Sequence, residues 1–89
     1  MPKVTFTGNL NRLVDAPPAQ VEAATVREAL DKAFAKSPRL RGYILDDQGA
    51  LRRHVIVFVG GEAVKDRTGL TDPVRPDSEI AVLQALSGG

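Results

Sequence analysis

The sequence predicts an α+β domain in which a mixed sheet of about four to five strands packs on one main helix. Three observations carry this reading. A capped stretch from Thr25 places apolar residues at helical spacing, and β-type runs stand near the start, the middle and the end of the chain. One helix of about three turns cannot cover two sheets, so a single sheet is the economical second layer.

The first strand is Val4-Thr5-Phe6-Thr7, where apolar and β-favouring polar residues alternate before Gly8-Asn9 interrupts. The alternation buries one face, carrying Val4 and Phe6. A loop with Asp15-Ala16-Pro17-Pro18 follows, and residues 19–23 form a short return strand holding Val21. Thr25-Val26-Arg27-Glu28 is a capping box: the Thr hydroxyl and the Glu carboxylate satisfy each other's end donors. Val26, Ala29, Leu30, Ala33 and Phe34 then recur on one helical face. The helix ends at Ser37-Pro38, because the residue before proline resists helical torsions.

Leu40, Tyr43, Ile44 and Leu45 read as core satellites on a short irregular segment, and Asp46-Asp47-Gln48-Gly49 is turn chemistry at a hairpin tip. Residues 53–59 make the strongest strand, apolar on both faces. That means either cover on both sides or one face left for a partner. Gly60-Gly61 fits a tight turn and Glu62-Ala63-Val64 a short return. Residues 65–78 are loop-rich, broken by Pro73 and Pro76, and residues 79–86 form the last strand. The order strand, strand, helix, strand, short strand, strand is the β-grasp pattern. It divides the chain into a domain over residues 1–86 and a flexible tail over residues 87–89.

Composition bounds the function. At 89 residues there is one small core and little volume left for a deep catalytic pocket, which favours a carrier or binding module over an enzyme. Hydrophobic content of 43% and charged content of 26% are those of a folded globular chain. Twelve basic and eleven acidic residues interleave with few aromatics, so no nucleic-acid surface is expected. The absence of cysteine removes disulfides, thiolate metal sites, a Cys nucleophile and a four-cysteine iron–sulfur cluster. The longest apolar run, residues 55–59, is too short for a membrane span, and Met1-Pro2-Lys3 opens no signal region. A cytoplasmic location is the expectation, with no membrane partner, no metal and no bound cofactor.

The most informative feature is the end, Leu86-Ser87-Gly88-Gly89, directly after a strand. Two glycines leave the terminal carboxylate without side-chain cover and give the tail torsions denied to other residues. A frayed tail is the alternative. Lys3-Val4-x-Phe6, Thr25-Val26-x-x-Ala29-Leu30, Val57-x-Val59-x-x-Glu62-x-Val64 and Asp77-x-Glu79-Ile80-x-Val82-Leu83, followed by Leu86-Ser87-Gly88-Gly89, resemble the ubiquitin-like sulfur carriers of the MoaD/ThiS family over nearly the whole chain. The stretch Gly49-Ala50-Leu51-Arg52-Arg53-His54-Val55 looks more like the carriers serving cysteine-type amino-acid synthesis. Two departures stand out. Ser78 occupies a turn position where glycine is usual, and Gln84-Ala85 replaces a proline-containing approach to the tail.

The resemblance implies a protein that is itself a substrate. An E1-like adenylyltransferase would use ATP to adenylate the Gly89 carboxylate. Sulfur transfer would then give a thiocarboxylate, which a downstream biosynthetic enzyme consumes. Gly88, Ser87 and Leu86 would give access, and residues 85–89, if extended, reach roughly 17 Å at about 3.4 Å each. By residue-to-residue match, Leu83, Ala63 and Thr7 are the partner-binding residues. Strand phase agrees for Leu83, which shares a face with Ala81 and Ala85 opposite Ile80, Val82 and Gln84; a core position for Leu83 is the alternative. The free carrier would be a monomer.

Other residues carry less. His54, the single histidine, reads as a strand-edge residue, with phosphate or partner contact as the alternative. Arg52-Arg53 reads as a solvated edge that discourages strand pairing, or as a docking pair. Asp46-Asp47 reads as a turn rather than a metal site, and Ser87 has no histidine near it to make it a nucleophile. Two rival functions share much of this pattern. One is a protein modifier whose tail is joined to lysine amines; the other is a β-grasp interaction domain with an inert tail. The receiving pathway stays open.

Overall fold

The computed structural model describes residues 1–8 and 18–84. Its elements are β1 (Lys3–Gly8), β2 (Ala19–Gln20), α1 (Val26–Lys36), α2 (Pro38–Ile44), β3 (Val55–Val59), β4 (Glu62–Ala63) and β5 (Glu79–Gln84). They build one five-stranded mixed sheet in the order β2-β1-β5-β3-β4. The first and last strands lie side by side and parallel at its centre, from Lys3 opposite Glu79 to Gly8 opposite Gln84. The other pairings, β1 with β2, β3 with β5 and β3 with β4, are antiparallel.

Helix α1 forms where its capping box predicts. Thr25 Oγ1 accepts from the Glu28 amide at 3.2 Å, while the Glu28 carboxylate accepts from the Ala24 amide at 2.8 Å, one residue before the cap. The remaining end donors are taken by a distant loop: Val26 N–H donates to Asp72 O at 3.0 Å and Arg27 N–H to Leu70 O at 2.8 Å. No orphan donor is left in the first three positions of this helix. Its apolar face, Val26, Ala29, Leu30, Ala33 and Phe34, is buried against the sheet's inner face of Val4, Phe6, Val55, Val57, Ile80 and Val82.

Residues 38–44 differ from the expected irregular segment and form the second helix. Proline is at home in the first helical turn, where its missing N–H costs nothing. Leu40 and Ile44, four residues apart, then drop into the core. Residues 53 and 54 also differ. They sit in a turn, closed by Val55 N–H donating to Arg52 O at 3.0 Å, so β3 begins only at Val55. The second strand is limited to Ala19–Gln20, shorter than the 19–23 expected.

The glycine turn is as predicted. Gly60 and Gly61 both have positive φ, 58° and 88°, the torsions of a hairpin turn whose twist matches its strands. Asp46 builds the other tip by accepting from the Gln48 and Ala50 amides at 2.8 and 3.0 Å, beside a single Leu45–Leu51 bridge. Among the described residues no helix is long and apolar enough to cross a membrane.

Candidate functional site

The site is built on β5, the central strand of the sheet, paired with β1 on one side and β3 on the other. Its side chains alternate: Ile80 and Val82 are buried beneath the helices, while Ala81 and Leu83 face the other way and are half-exposed. The ladder registers align their neighbours in two rows. Thr7 of β1, Leu83 and Ile56 of β3 form one row; Thr5, Ala81, Phe58 and Ala63 of β4 form the next. Ile56 is 36% exposed and Phe58 partly so, although both lie within a strand whose alternate residues, Val55 and Val57, are fully buried.

The two-sided apolarity of residues 55–59 thus resolves into one face in the core and one face uncovered by any described element. Leu83 lies on the face away from the helices and Ala63 is exposed beside Phe58 in register, while Thr7 is the register neighbour of Leu83. Ala81 shares this apolar strip, as strand phase predicts, and so do Ile56 and Phe58, which were not singled out by the sequence. The signal for Ile56 and Phe58 was present in the unbroken apolar run of 55–59, but only the register shows which residues meet Leu83. Leu86, Ser87, Gly88 and Gly89, on which the expected chemistry rests, lie outside the described residues.

A second surface feature lies at the β4 edge. Val59, Glu62, Ala63, Lys65, Asp66, Thr71, Asp72 and Pro73 line a cleft of about 470 Å³. Two of its three carboxylates, Asp66 and Asp72, are occupied internally. Asp66 accepts from the Thr71 hydroxyl at 2.7 Å and from the Gly69 and Thr68 amides at 2.8 and 3.2 Å. These bonds, the Thr71 hydroxyl foremost, hold its pKa at about 2, well below the usual carboxylate range. Asp72 accepts from the Lys65 and Asp66 amides at 2.9 and 3.0 Å, which lowers its pKa as well.

Arg27 fastens this loop to the helix, a role that no sequence signal announced. Its guanidinium donates to Gly49 O at 2.6 Å, Thr68 O at 3.1 Å and Gly69 O at 3.3 Å. Leu70, fully buried, completes the loop with a left-handed φ of 55°. Such a torsion in a branched side chain costs roughly 1 kcal/mol, offset here by burial of the side chain. Among the described residues no three His, Asp or Glu side chains gather as a metal site. His54 is exposed on the turn before β3, not on a strand edge, and Arg52 and Arg53 share that turn.

A central parallel pair of terminal strands, a β2-β1-β5-β3-β4 sheet and a main helix on one face define a ubiquitin-like β-grasp protein. Solved structures agree. SAMP1 from Haloferax volcanii is 26% identical with a TM-score of 0.82, the match covering 99% of this chain and 98% of that one. A chain of the Amycolatopsis orientalis BexX/CysO complex is 22% identical with a TM-score of 0.81 over the whole of both chains. Sulfolobus solfataricus Urm1 is 19% identical with a TM-score of 0.69, covering 94% of this chain and 100% of that one. The last two likenesses speak to the fold alone. No curated protein matches the chain. The ThiS family model matches residues 4–89, and the chain belongs to the ThiS family.

Proposed function

We propose that this chain is a sulfur carrier whose Gly89 carboxylate is the reacting group. The observation that carries the reading is the family match, which runs through the last strand to Gly88-Gly89. The carboxylate attacks the α-phosphorus of ATP on an E1-like adenylyltransferase, forming an acyl adenylate and releasing pyrophosphate. A hydrosulfide-level nucleophile then displaces AMP, leaving a thiocarboxylate that a downstream enzyme consumes. Adenylation is needed because a carboxylate is a poor electrophile without a leaving group.

The body contributes docking rather than catalysis, and the free protein works as a cytoplasmic monomer with no cofactor of its own. The apolar strip of Leu83, Ile56, Phe58, Ala81 and Ala63, with Thr7 in register, supplies surface of the kind found at the centre of interfaces. It is continuous with β5, whose last residue, Gln84, precedes in sequence the segment that would carry the reacting group. Leu86, Ser87 and Gly88 are the narrow lead into the partner's active site.

The likeness to SAMP1, a small archaeal modifier protein, favours a second reading: attack on the same activated carbonyl by a lysine amine, giving an isopeptide bond. One experiment separates the readings. The protein is incubated with the E1-like adenylyltransferase of its own organism, ATP and sulfide, and its intact mass is measured. Exchange of one carboxyl oxygen for sulfur is expected, and deletion of Gly88-Gly89 should abolish it without shifting the unfolding midpoint. If no adenylate or thiocarboxylate forms, the proposal fails; Gly-Gly remnants on cellular lysines, without thiocarboxylate, would assign the modifier role instead.

A further inference from the structure

We propose that Arg52, Arg53 and Arg67, with His54 beside them, form a cationic rim where the chain leaves β5, and that this rim docks on an acidic rim of the protein that receives the tail. The inference rests on the carrier reading and adds the chemistry of the partner surface. Strands β3 and β5 run antiparallel with Val55 opposite Gln84, so the turn before Val55 stands at the end of the sheet where the chain leaves β5. Arg67 joins that turn by donating from Nη2 to Arg52 O at 2.9 Å, and Arg52 Nε donates to Gly42 O at 2.8 Å.

These bonds set the Arg52 and Arg67 guanidinium groups against neutral carbonyls rather than against any described carboxylate. Among the described residues the one ion pair is Arg41 with Asp31, at 3.9 Å and exposed, and no described carboxylate lies within ion-pair distance of the rim. The opposite end of the sheet mixes signs, with Glu62, Asp77 and Glu79 against Lys3 and Arg75. Among the described residues, charges that interleave along the sequence are therefore sorted by the fold, and under the carrier reading the sorted end is the one that faces a partner. A single-sign rim steers encounter and fixes orientation more than it adds affinity.

A protein surface fits better than a nucleic acid. The rim adjoins the apolar row of Leu83 and Ile56, and only 4% of the chain is aromatic, too little for a base-stacking platform. The test compares Arg53→Glu/His54→Glu with Arg75→Glu in pyrophosphate exchange by the cognate adenylyltransferase, over a range of salt concentrations. Arg53 and His54 are exposed, so the fold tolerates both changes; thermal unfolding of each variant checks this, and Arg53→Gln supplies a milder step.

The rim variant should raise KM for the carrier by about tenfold and flatten its salt dependence, with kcat held within about twofold. Arg53→Gln should fall between it and the wild type, and Arg75→Glu should stay near the wild type. Equal KM and equal salt slope for the rim variant and Arg75→Glu would overturn the inference while leaving the carrier reading standing. So would loss of retention on immobilised transfer RNA with KM unchanged, which would assign the rim to nucleic acid. Absence of exchange by the wild type overturns the carrier reading and this inference together.

Discussion

The open face of the sheet and the loop of residues 65–72 lie next to each other at the β4 edge, and they use exposure in opposite ways. On the sheet, Ile56, Phe58, Ala81 and Leu83 turn carbon to solvent in rows fixed by strand register. In the loop, Asp66 and Asp72 direct their oxygens inward to backbone amides, and Arg27 ties the result to α1. The sheet face holds apolar surface that folding has left unburied, while the loop's polar groups are committed to the fold. A cleft whose two aspartates are committed to the fold is thus a poorer candidate for function than a strip of exposed apolar side chains.

Three substitutions test this division. The largest effect is expected in the core beneath both regions, at Leu30, which is fully buried. Leu30→Ala should lower unfolding free energy by roughly 2–5 kcal/mol, measured by urea denaturation, because the lost transfer energy adds to that of a cavity. Next is Leu83→Arg on the open face. It should weaken productive use by the activating enzyme by about tenfold while changing stability by less than about 0.5 kcal/mol. A large fall in midpoint at that position would show that the strip serves the fold after all.

The smallest effect is at Asp66 and appears as a pH dependence. Its folded pKa, about 2, lies below the unfolded carboxylate value, so its contribution is fully present above roughly pH 4 and is lost as pH falls through 2. Asp66→Asn should therefore be less stable than wild type at neutral pH. In thermal melts the gap between the two should close as pH falls from about 4 to about 2. A gap that is the same at both pH values would mean that the loop is held by something other than carboxylate charge.

Much of this was legible in the residues themselves. The Thr25 cap, the glycine pair at 60–61 and the burial of Val4 and Phe6 each encode local geometry and formed as read, and so did the last strand over its described residues 79–84. The Glu28 half of the capping box shifted one residue, to the Ala24 amide. Helix α2 was misread because seven residues give too little periodicity, and Pro38 was weighed as the end of one helix rather than the start of another. The Arg27 clamp was invisible because its acceptors, Gly49, Thr68 and Gly69, are backbone carbonyls from two separate loops. Likewise, the unbroken apolar run of residues 55–59 showed that β3 had two apolar faces, but only pairing with β5 brings Ile56 beside Leu83.

The central position of β5 has a mechanical consequence. A tug on the chain beyond Gln84 acts along a strand laced to β1 on one side and β3 on the other, so it strains the ladder bonds together instead of unzipping them singly. A partner of the kind proposed above, drawing on that end, would therefore haul on a firmly anchored rope while the body behind it kept its shape.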